Sequence, residues 1–555
     1  MTLIGFPWKS LASRRRTGQT RPETGHNNEA RREEQPARRL QQLEQTSTSP
    51  GPACVSEDFG PLDTWRGWIV TLVLTAVGAL LRFWRLGAYS DHGTPIFDEK
   101  HYVPQAWQML GNGGVEDNPA YGLVVHPPLG KQLIAIGESA FGYTPLGWRC
   151  VAALFGTLLV LLVIRAARRL TRSTLIGAVA GILVICDGVS HVAARSALLD
   201  IFLAVFAFAA FSCVLADRDQ VRARLALFLA EGTAGASPLG PRLGARWWRF
   251  GAGVLVGLAC AVKWSGLYYA VFFGALTLCF DWSARRHYGA KKPLRGALVR
   301  DLAPGVQAFL LIPALVYLAS YWAWYANDFG YYHYGGPPPG ASGAVLAVCA
   351  QLPNTLEHLC YWNADSLKFH EHLTNSNGYH HPWESKPWQW PMSLRPVLYY
   401  YESGPAAQHC GEANCVGAIL QVGTPAMWWL SVPMMLWGLW RMAAAWDWRY
   451  AATLAGYGAS WLPWFLDFDR QMYFYYASAM APFLVLGLAL CCSDVLGNNG
   501  SALWHSNERK ISGRLLVCLY VGLVVANFAW LYPILVGDPI PHWRWDSEIW
   551  LPSWG

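Results

Sequence analysis

The chain of 555 residues is short of charged side chains, which make up only 14% of it. Soluble domains usually carry about 25%. The deficit is uneven, because charges gather in the first 64 residues and in short connecting segments, whereas the stretches between them hold almost none. Together with a hydrophobic content of 53%, this distribution excludes an ordinary soluble domain and predicts a multi-pass membrane protein.

Several motifs of cytoplasmic enzymes are also missing. The chain has no P-loop, no dinucleotide-binding glycine pattern after a strand, no HExxH motif and no serine nucleophile elbow. Its 13 cysteines form no CxxC pair and no zinc-ligand spacing, so we predict no metal site. Nucleotide-dependent chemistry in the cytoplasm is thereby disfavoured. An activated donor would have to arrive by another route, and a lipid carrier is the obvious one.

The net charge of +7 does not indicate nucleic acid as a partner, because the basic residues lie between apolar segments and so report topology. A membrane helix needs roughly 20 apolar residues, and about eleven segments qualify. They are 65–86, 148–170, 174–192, 196–216, two helices within 250–282, and 302–324, 425–444, 450–466, 473–494 and 515–536.

Lys and Arg residues concentrate in alternate connections, which predicts the orientation. The connections after the second, fourth, sixth, eighth and tenth segments are basic, whereas the long segments 87–147 and 325–424 hold few cations. We therefore predict a disordered basic cytoplasmic tail at 1–64, without a cleaved signal peptide, followed by a membrane domain at 65–555. The two long loops and the C-terminus would face outside, in the cell membrane.

The first outer loop carries an adjacent pair of carboxylates, Asp98 and Glu99. Neighbouring carboxylates near a membrane raise each other's pKa, and such a pair can supply a general base and an orienting group. A solvated acidic turn is the plainer interpretation of the dipeptide alone. Further along, His126 and Lys131 flank a Pro-Pro-Leu-Gly turn that opens a probable helix, where they could contact an anion or simply form a rigid turn.

Cations also occur near the predicted outer ends of helices: Arg149, Arg195, Lys263 and Arg470. Ionisable residues at such positions are costly and are functional candidates by default, although snorkelling to lipid head groups is the alternative. Several converging cations would suit a lipid-linked phosphate. We interpret Asp200 as a structural partner for Arg195 or for a cation on a neighbouring helix.

Cys410 and Cys415 lie in the second outer loop, with Gly411 between them. Outside the cytoplasm a disulfide is allowed, and the short interval is compatible with one. Two free thiols are the other interpretation.

Taken in order, these motifs resemble the bacterial protein O-mannosyltransferase family over about residues 65–540. The resemblance is carried by Phe-Asp-Glu-Lys-His-Tyr at 97–102, His-Pro-Pro-Leu-Gly-Lys at 126–131, Trp-Arg-Cys-Val-Ala-Ala-Leu-Phe-Gly at 148–156, Arg-Ser-Ala-Leu-Leu-Asp at 195–200, Lys-Trp-Ser-Gly-Leu at 263–267, His-Pro-Trp-Glu-Ser-Lys-Pro-Trp-Gln-Trp-Pro at 381–391 and Arg-Gln-Met-Tyr-Phe-Tyr-Tyr at 470–476. No single motif is decisive, but the ordered set is specific.

The resemblance implies an all-α polytopic membrane protein with the GT-C glycosyltransferase fold. It implies transfer of mannose from polyprenyl-phosphate-mannose to Ser or Thr of unfolded or translocating secretory polypeptides, with inversion. Asp98 would be the general base and Glu99 would hold the acceptor or the base. Arg149 matches an essential arginine and, with Arg470, Lys131 and His126, is a candidate ligand of the donor phosphate.

Arg195, Asp200, Lys263 and His381 would have supporting roles. No cofactor beyond the donor is required, and the expected partners are membrane lipids and a secretion channel. The extra β-rich domain of the eukaryotic relatives is expected to be absent from loop 325–424.

Three other functions remain to be weighed. An oligosaccharyltransferase is disfavoured, because Trp428-Trp429 is followed by Leu430 and the Trp-Trp-Asp-Tyr-Gly motif is missing. A related glycosyltransferase with a lipid acceptor would be distinguished by the chemical class of its product. A transporter is disfavoured because the chain shows no similar halves and its charges lie at helix ends.

Overall fold

A computed structural model describes residues 65–88, 91–116, 124–234, 236–404, 407, 410–497 and 507–555. The predicted tail at 1–64 lies outside the described residues. Each apolar segment predicted from the sequence contains a helix or most of one. The first half of the chain forms α1 (Trp65–Phe83), α2 (Glu99–Gly111), α3 (Leu129–Phe141), α4 (Pro145–Thr171), α5 (Thr174–Ile185), α6 (Gly188–Ala193), α7 (Asp200–Ala230), α8 (Trp247–Val262), α9 (Gly266–His287) and α10 (Pro293–Arg300).

The second half begins with one long helical segment that contains a π turn. Its parts are α11 (Leu302–Val306), the π turn Gln307–Leu311 and α12 (Ile312–Ser320). There follow α13 (Trp322–Ala326), α14 (Gly343–Cys349), α15 (Asn354–His372), β1 (Val397–Ser403), β2 (Cys415–Gln421), α16 (Pro425–Trp428), α17 (Ser431–Ala445), α18 (Trp448–Trp461), α19 (Ala481–Leu496), α20 (Asn507–Val536), β3 (Ile540–Pro541) and α21 (His542–Glu548).

Within the described residues, six helices are long and apolar enough to cross a bilayer by length and composition. They are α1, α4, α7, α9, the α11–α12 segment and the part of α20 from Ile511 to Val536. Three shorter apolar helices, α5, α8 and α19, pack among them. A mostly helical membrane fold is thus confirmed, whereas the number of crossings and their orientation stay predictions.

The core of the helix bundle is built from aromatic side chains on α7, α9 and α19. Phe208 and Phe211 each lie 5.2 Å, centroid to centroid, from Phe483, and Phe211 lies 6.0 Å from Phe273. Gly456 on α18 faces Phe483 so closely that a β-carbon there would overlap the ring. These contacts hold α7 rigidly, and α7 begins at Asp200 beside the candidate site.

A buried ionic network fixes one end of the bundle. Arg249 on α8 donates to Asp281 on α9 at 2.6 Å, and Arg246 donates to the same carboxylate at 2.9 Å. Both arginines also pair with Asp217 on α7. Buried pairs are strongly destabilising when one partner is removed, so this network ties α7, α8 and α9 together at the end far from Asp98.

A small antiparallel sheet was not predicted from the sequence. Its strand order is β1-β2-β3, with Val397 opposite Gln421 and Val416 opposite Ile540. Strand β2 is buried along its whole length, so its apolar run lacks the alternation that usually reveals a strand. The sheet joins the second long loop to the C-terminal segment and places β1 against the chain that precedes α2.

Candidate active site

The acidic pair lies at the start of α2, where Asp98 is the N-cap and Glu99 the first helical residue. The chain enters through Phe97, which has a positive φ of 47°, an uncommon conformation for a residue with a side chain. The Phe97 ring stacks on Tyr399 of β1, with centroids 4.8 Å apart and an interplanar angle of 11°. The stack holds the strained turn in place, and the two carboxylates that follow have different surroundings.

Glu99 is fully buried, and both of its carboxylate oxygens accept hydrogen bonds. Its two oxygens accept from Nε and Nη2 of Arg149, each at 2.8 Å, and also from the backbone amides of Ala197 at 2.9 Å and Ile96 at 3.1 Å. Bidentate pairs of this kind are both strong and directional. Glu99 therefore links α2, α4 and the turn before α7, directly behind Asp98.

Arg149 is also removed from solvent, since only 2% of it is exposed. Besides Glu99, its guanidinium contacts the Leu86 carbonyl at 3.5 Å. This geometry differs from the predicted roles, in which Arg149 binds the donor phosphate and Glu99 holds the acceptor. A buried carboxylate and guanidinium that satisfy each other have little capacity left for a substrate, so the structure favours a positioning role for both.

Asp98 retains an exposed part of its surface, in contrast to Glu99. Burial of the rest raises the pKa of its carboxyl to about 6, with the nearby Asp200 acting in the same direction. Lys263 and a hydrogen bond from the Tyr475 hydroxyl oppose this rise by stabilising the carboxylate. A partly reachable carboxylate with a pKa near 6 is suited to general-base chemistry at neutral pH.

Lys263 and Asp200 form an ion pair behind this group, with Nζ at 2.8 and 3.0 Å from the two carboxylate oxygens. The sequence left two possible partners for Asp200, Arg195 and a cation on a neighbouring helix. The structure shows the second of these, Lys263. Lys263 follows α8, and Gly266 closes the turn where a β-carbon would overlap the backbone of Cys260. Lys263 Nζ also lies 5.3 Å from the centre of the Tyr475 ring.

A second group of partly exposed side chains combines His126 with two residues from distant parts of the chain. The rings of His126 and His370 lie 5.7 Å apart, and Arg470 Nη2 is 3.2 Å from His370 Nδ1. Trp264 meets the His370 ring edge-on at 6.0 Å. Arg470 Nε is buried and has no hydrogen-bond partner within the described ranges.

The backbone explains why Arg470 meets His370 in spite of their separation in sequence. His370 lies on the last turn of α15, and Thr374, just beyond it, forms an isolated β-bridge with Arg470. Lys386 secures the same segment by donating to the Arg470 carbonyl at 3.0 Å. The second long loop and the segment before α19 therefore meet at a fixed point.

The surroundings of both histidines in this group lower the pKa of the ring and so favour the neutral imidazole. Burial lowers the pKa of His370 to about 3, and the charges of Arg470 and Lys263 act in the same direction. Burial and the nearby Lys263 likewise hold the pKa of His126 well below its usual range. A neutral imidazole can donate from one ring nitrogen and accept at the other. With the Arg470 guanidinium, the group can bind an anion without a buried excess of charge.

Lys131 occupies a different place from the one predicted for a phosphate ligand. It is fully buried on α3, pairs with Glu116 and donates to the His126 carbonyl at 3.1 Å. Its side chain therefore fixes the backbone that carries His126 and is not itself accessible to a donor. Lys131 thus holds the cluster of His126, His370 and Arg470 in place through the His126 backbone.

The two remaining supporting residues contact neighbouring backbone or rings. Arg195 donates to the carbonyls of Leu81, Arg82 and Trp84, at 3.2, 2.8 and 2.9 Å, and so caps the C-terminal end of α1. His381 accepts from the Trp383 amide at 3.2 Å, and its ring lies 5.4 Å from that of Tyr473.

Two disulfides occur in the second long loop. One joins Cys410 to Cys415, the pair singled out in the sequence, and the other joins Cys349 to Cys360. The second was missed, although both cysteines lie in a loop predicted to face an oxidising compartment. It ties α14 to α15, the helix that carries His370. No group of His, Cys, Asp or Glu suited to a metal ion occurs in the part of the chain that the structure describes.

Sequence reasoning overlooked His370 and assigned no role to Tyr475. A single histidine near the end of a helix does not by itself predict a functional site. His370 becomes a candidate only because the structure places Arg470 beside it. Tyr475 belongs to the quoted segment 470–476, so its position in a specific motif was available as a hint.

Residues 146–325 match the family model described as dolichyl-phosphate-mannose-protein mannosyltransferase. Residues 355–554 match the model for the C-terminal four-transmembrane region of protein-O-mannosyltransferase.

Among curated proteins, the chain is 56% identical to the polyprenol-phosphate-mannose–protein mannosyltransferase of Mycobacterium tuberculosis, over 91% of this chain and 95% of the relative. It is 55% identical to the protein of the same name in Mycolicibacterium smegmatis, over 91% and 96%. The Corynebacterium glutamicum protein of that name is 41% identical, over 89% and 94%.

Among solved structures, the fold is similar to a chain of the S. cerevisiae protein O-mannosyltransferase Pmt1-Pmt2 complex bound to the sugar donor. The TM-score is 0.65 at 14% identity, covering 89% of this chain and 93% of that one. An oligosaccharyltransferase of Archaeoglobus fulgidus with a tethered acceptor peptide gives a TM-score of 0.50, covering 88% and 57%. At these identities the likeness concerns the fold alone, which is the GT-C fold of membrane proteins.

Proposed function

Because the chain belongs to the family of polyprenol-phosphate-mannose–protein mannosyltransferases, we propose that it transfers mannose from polyprenyl-phosphate-mannose to Ser or Thr hydroxyls of proteins. The acceptors are secreted or membrane proteins, and the site faces the outside of the cell membrane. The observation that carries the proposal is Asp98, a partly exposed residue whose carboxyl has a pKa of about 6, held against the buried Glu99–Arg149 pair.

In the proposed reaction, Asp98 takes the proton of the acceptor hydroxyl as its oxygen attacks the anomeric carbon. A hydroxyl is a weak nucleophile and needs a base placed within hydrogen-bond reach. The bond between the anomeric carbon and the phosphate oxygen breaks, and polyprenyl phosphate leaves with the electron pair. Because the attack comes from the face opposite the phosphate, a β-linked donor gives an α-linked mannoside.

The leaving phosphate needs stabilisation of its charge, and we assign that role to Arg470, His370 and His126. These three side chains are partly exposed and converge, whereas Lys131 and Arg149 are buried and committed to carboxylates. Burial therefore divides the predicted cations into those a donor can reach and those that hold the site in shape. Lys263, paired with Asp200, lowers the pKa of both Asp98 and His370 and so acts on the base and on the phosphate group alike.

The test is transfer of labelled mannose by the purified full-length chain in detergent. The donor is polyprenyl-phosphate-mannose and the acceptor is a peptide rich in Ser and Thr. The matched control is the same peptide with every Ser and Thr replaced by Ala. Label on the first peptide alone, released by alkaline β-elimination and by α-mannosidase, supports the proposal and the inversion. Label that leaves the donor and appears only in a second lipid, separable from polyprenyl-phosphate-mannose by chromatography, would contradict it and identify a lipid acceptor.

We expect Arg470→Gln to lower kcat/KM for the donor about 10- to 100-fold, the effect of losing charge-assisted hydrogen bonds to an anion. The loss should appear in donor dependence and leave the KM for the peptide unchanged. Lys368→Gln is the matched control. Lys368 lies on α15, two residues before His370, so this variant also removes a positive charge near the cluster. Equal losses in the two variants would reject Arg470 as the phosphate ligand.

A second expectation concerns the pH profile. The carboxylate form of Asp98 is the active one, so the rate should be half-maximal near pH 6, approach its full value about one unit above, and fall about tenfold per unit well below pH 6. Tyr475→Phe removes a hydrogen bond that stabilises the carboxylate, so the pKa rises and the acid limb moves to higher pH. Tyr473→Phe, whose ring stacks on Tyr475 at 5.2 Å, is the control and should leave the limb in place. An unshifted limb in Tyr475→Phe would show that another group sets it.

A further inference from the structure

The helix bundle holds a second pocket, far from Asp98, that the proposed reaction does not use. It has a volume of about 300 Å³ and lies between α4, α7 and α8. Three arginines line it: Arg165, Arg168 and Arg169. Arg165 lies about 24 Å along α4 from Arg149, at a rise of about 1.5 Å per residue, so the pocket is at the opposite end of the bundle from the candidate active site.

The arginines are placed at positions i, i+3 and i+4 of one helix, so they share a face. Arg169 pairs with Asp219 at 2.8 Å, Arg165 lies 4.0 Å above the Trp68 ring, and Arg168 reaches the Thr174 hydroxyl at 3.3 Å. Asp219 itself is not among the residues that line the pocket, and none of the lining residues is acidic. Asp219 neutralises Arg169, and the Arg168 guanidinium is buried against Gly67, which is not part of the lining. The positive charge of the pocket therefore rests chiefly on Arg165, with no acidic residue in the lining to offset it.

The rest of the lining is apolar or weakly polar. Leu162, Ala209 and Leu255 form its walls, and Ser212 and Trp248 complete them. Trp248 is 47% exposed, and Leu158, one turn from Leu162 on α4, is 41% exposed, so the pocket adjoins the outer surface of apolar helices. An indole at such a position is typical of the interface between the hydrocarbon core and the head groups.

We propose that this pocket binds the phosphodiester head group of an anionic phospholipid, with an acyl chain against the leucine walls. Positive pockets between membrane helices recognise lipid phosphates in this way. A free anion would use the arginines but would gain nothing from the apolar walls or from the opening towards the membrane. The site is independent of mannosyl transfer, since none of its residues contacts the Asp98 or His370 groups.

The experiment is native mass spectrometry of the full-length protein in detergent, titrated with phosphatidylglycerol or phosphatidylcholine, without donor or acceptor. Wild type should retain phosphatidylglycerol in preference to phosphatidylcholine. Arg165→Gln should weaken phosphatidylglycerol binding about fivefold, the effect of one arginine near a lipid surface, whereas Arg165→Lys should keep most of it. Arg286→Gln is the matched control, because Arg286 is exposed at the same end of the bundle and does not line the pocket.

A second variant tests the same pocket independently, in case Arg165→Gln does not fold. Ser212→Asp adds a negative charge within the pocket and should weaken phosphatidylglycerol binding while leaving phosphatidylcholine unaffected. Equal binding of both lipids, or equal losses in Arg286→Gln and the pocket variants, would overturn the proposal. Glycerophosphoglycerol has the head group without acyl chains. If it competed at the same concentration as the lipid, the assignment to a phospholipid would be overturned.

Discussion

Asp98→Asn should reduce mannosyl transfer by about 10²- to 10⁴-fold in kcat, which is the usual contribution of a general base. The amide keeps the size and shape of the carboxylate but cannot take up the acceptor proton at neutral pH. Donor binding should persist, because Arg470, His370 and His126 are unchanged. The measurement is the steady-state rate with labelled donor, together with binding of the donor to the inactive variant.

The matched control for this variant is Asp91→Asn, which changes an exposed carboxylate of the same loop, 3.9 Å from Lys100. It should transfer mannose like wild type. If Asp98→Asn retained wild-type kcat and the same acid limb, Asp98 would not be the base, although the mannosyltransferase function would stand.

The second large effect is expected from Glu99→Gln, and it should be a loss of stability as well as of activity. Removing one partner of a buried ion pair typically costs about 3–5 kcal/mol, because the other charge is left uncompensated. Here the remaining charge is Arg149, only 2% exposed. The thermal midpoint in detergent should fall clearly, and transfer should fall with it because Asp98 loses its support.

A double-mutant cycle separates this explanation from a direct catalytic role. If Glu99 and Arg149 act as a pair, Glu99→Gln combined with Arg149→Gln should be less destabilised than the sum of the single variants. Lys100→Gln is the control for its neighbour in sequence, because an exposed pair contributes at most about 1 kcal/mol. A different result would support contact between Glu99 and the substrate. In that case Glu99→Gln would have normal stability, and the losses of transfer activity in the two single variants would add in the double variant.

The sequence was sufficient for the membrane class and for the helical segments, since each depends on local composition. It also singled out the adjacent carboxylates Asp98 and Glu99, whose roles stay a proposal. It could not separate Asp98 from Glu99, because neighbours in sequence received opposite environments from α4 and from the turn before α7. For the same reason it could not show that the side chains of Arg149 and Lys131 are buried, whereas Arg470 is partly exposed.

What the sequence missed depends on contacts between distant segments. His370 and Arg470 are 100 positions apart and meet only because Thr374 bridges to the segment before α19. Strand β2 was hidden by its uniform burial, and the Cys349–Cys360 disulfide joins two short helices whose proximity no local pattern encodes. Pairings of this kind follow from the tertiary fold and not from propensity.

The anchoring of Glu99 to three separate parts of the chain has a consequence for which proteins can be modified. Because Ile96, Arg149 and Ala197 all bind this carboxylate, the adjacent Asp98 has almost no freedom to follow an incoming hydroxyl. The acceptor must therefore supply the adaptability that the enzyme lacks. Serines and threonines in flexible segments can adjust to a stationary base, whereas those within folded helices or sheets cannot. If Asp98 is the base, we expect the timing of acceptor folding to decide which hydroxyls receive mannose as much as the residues around them do.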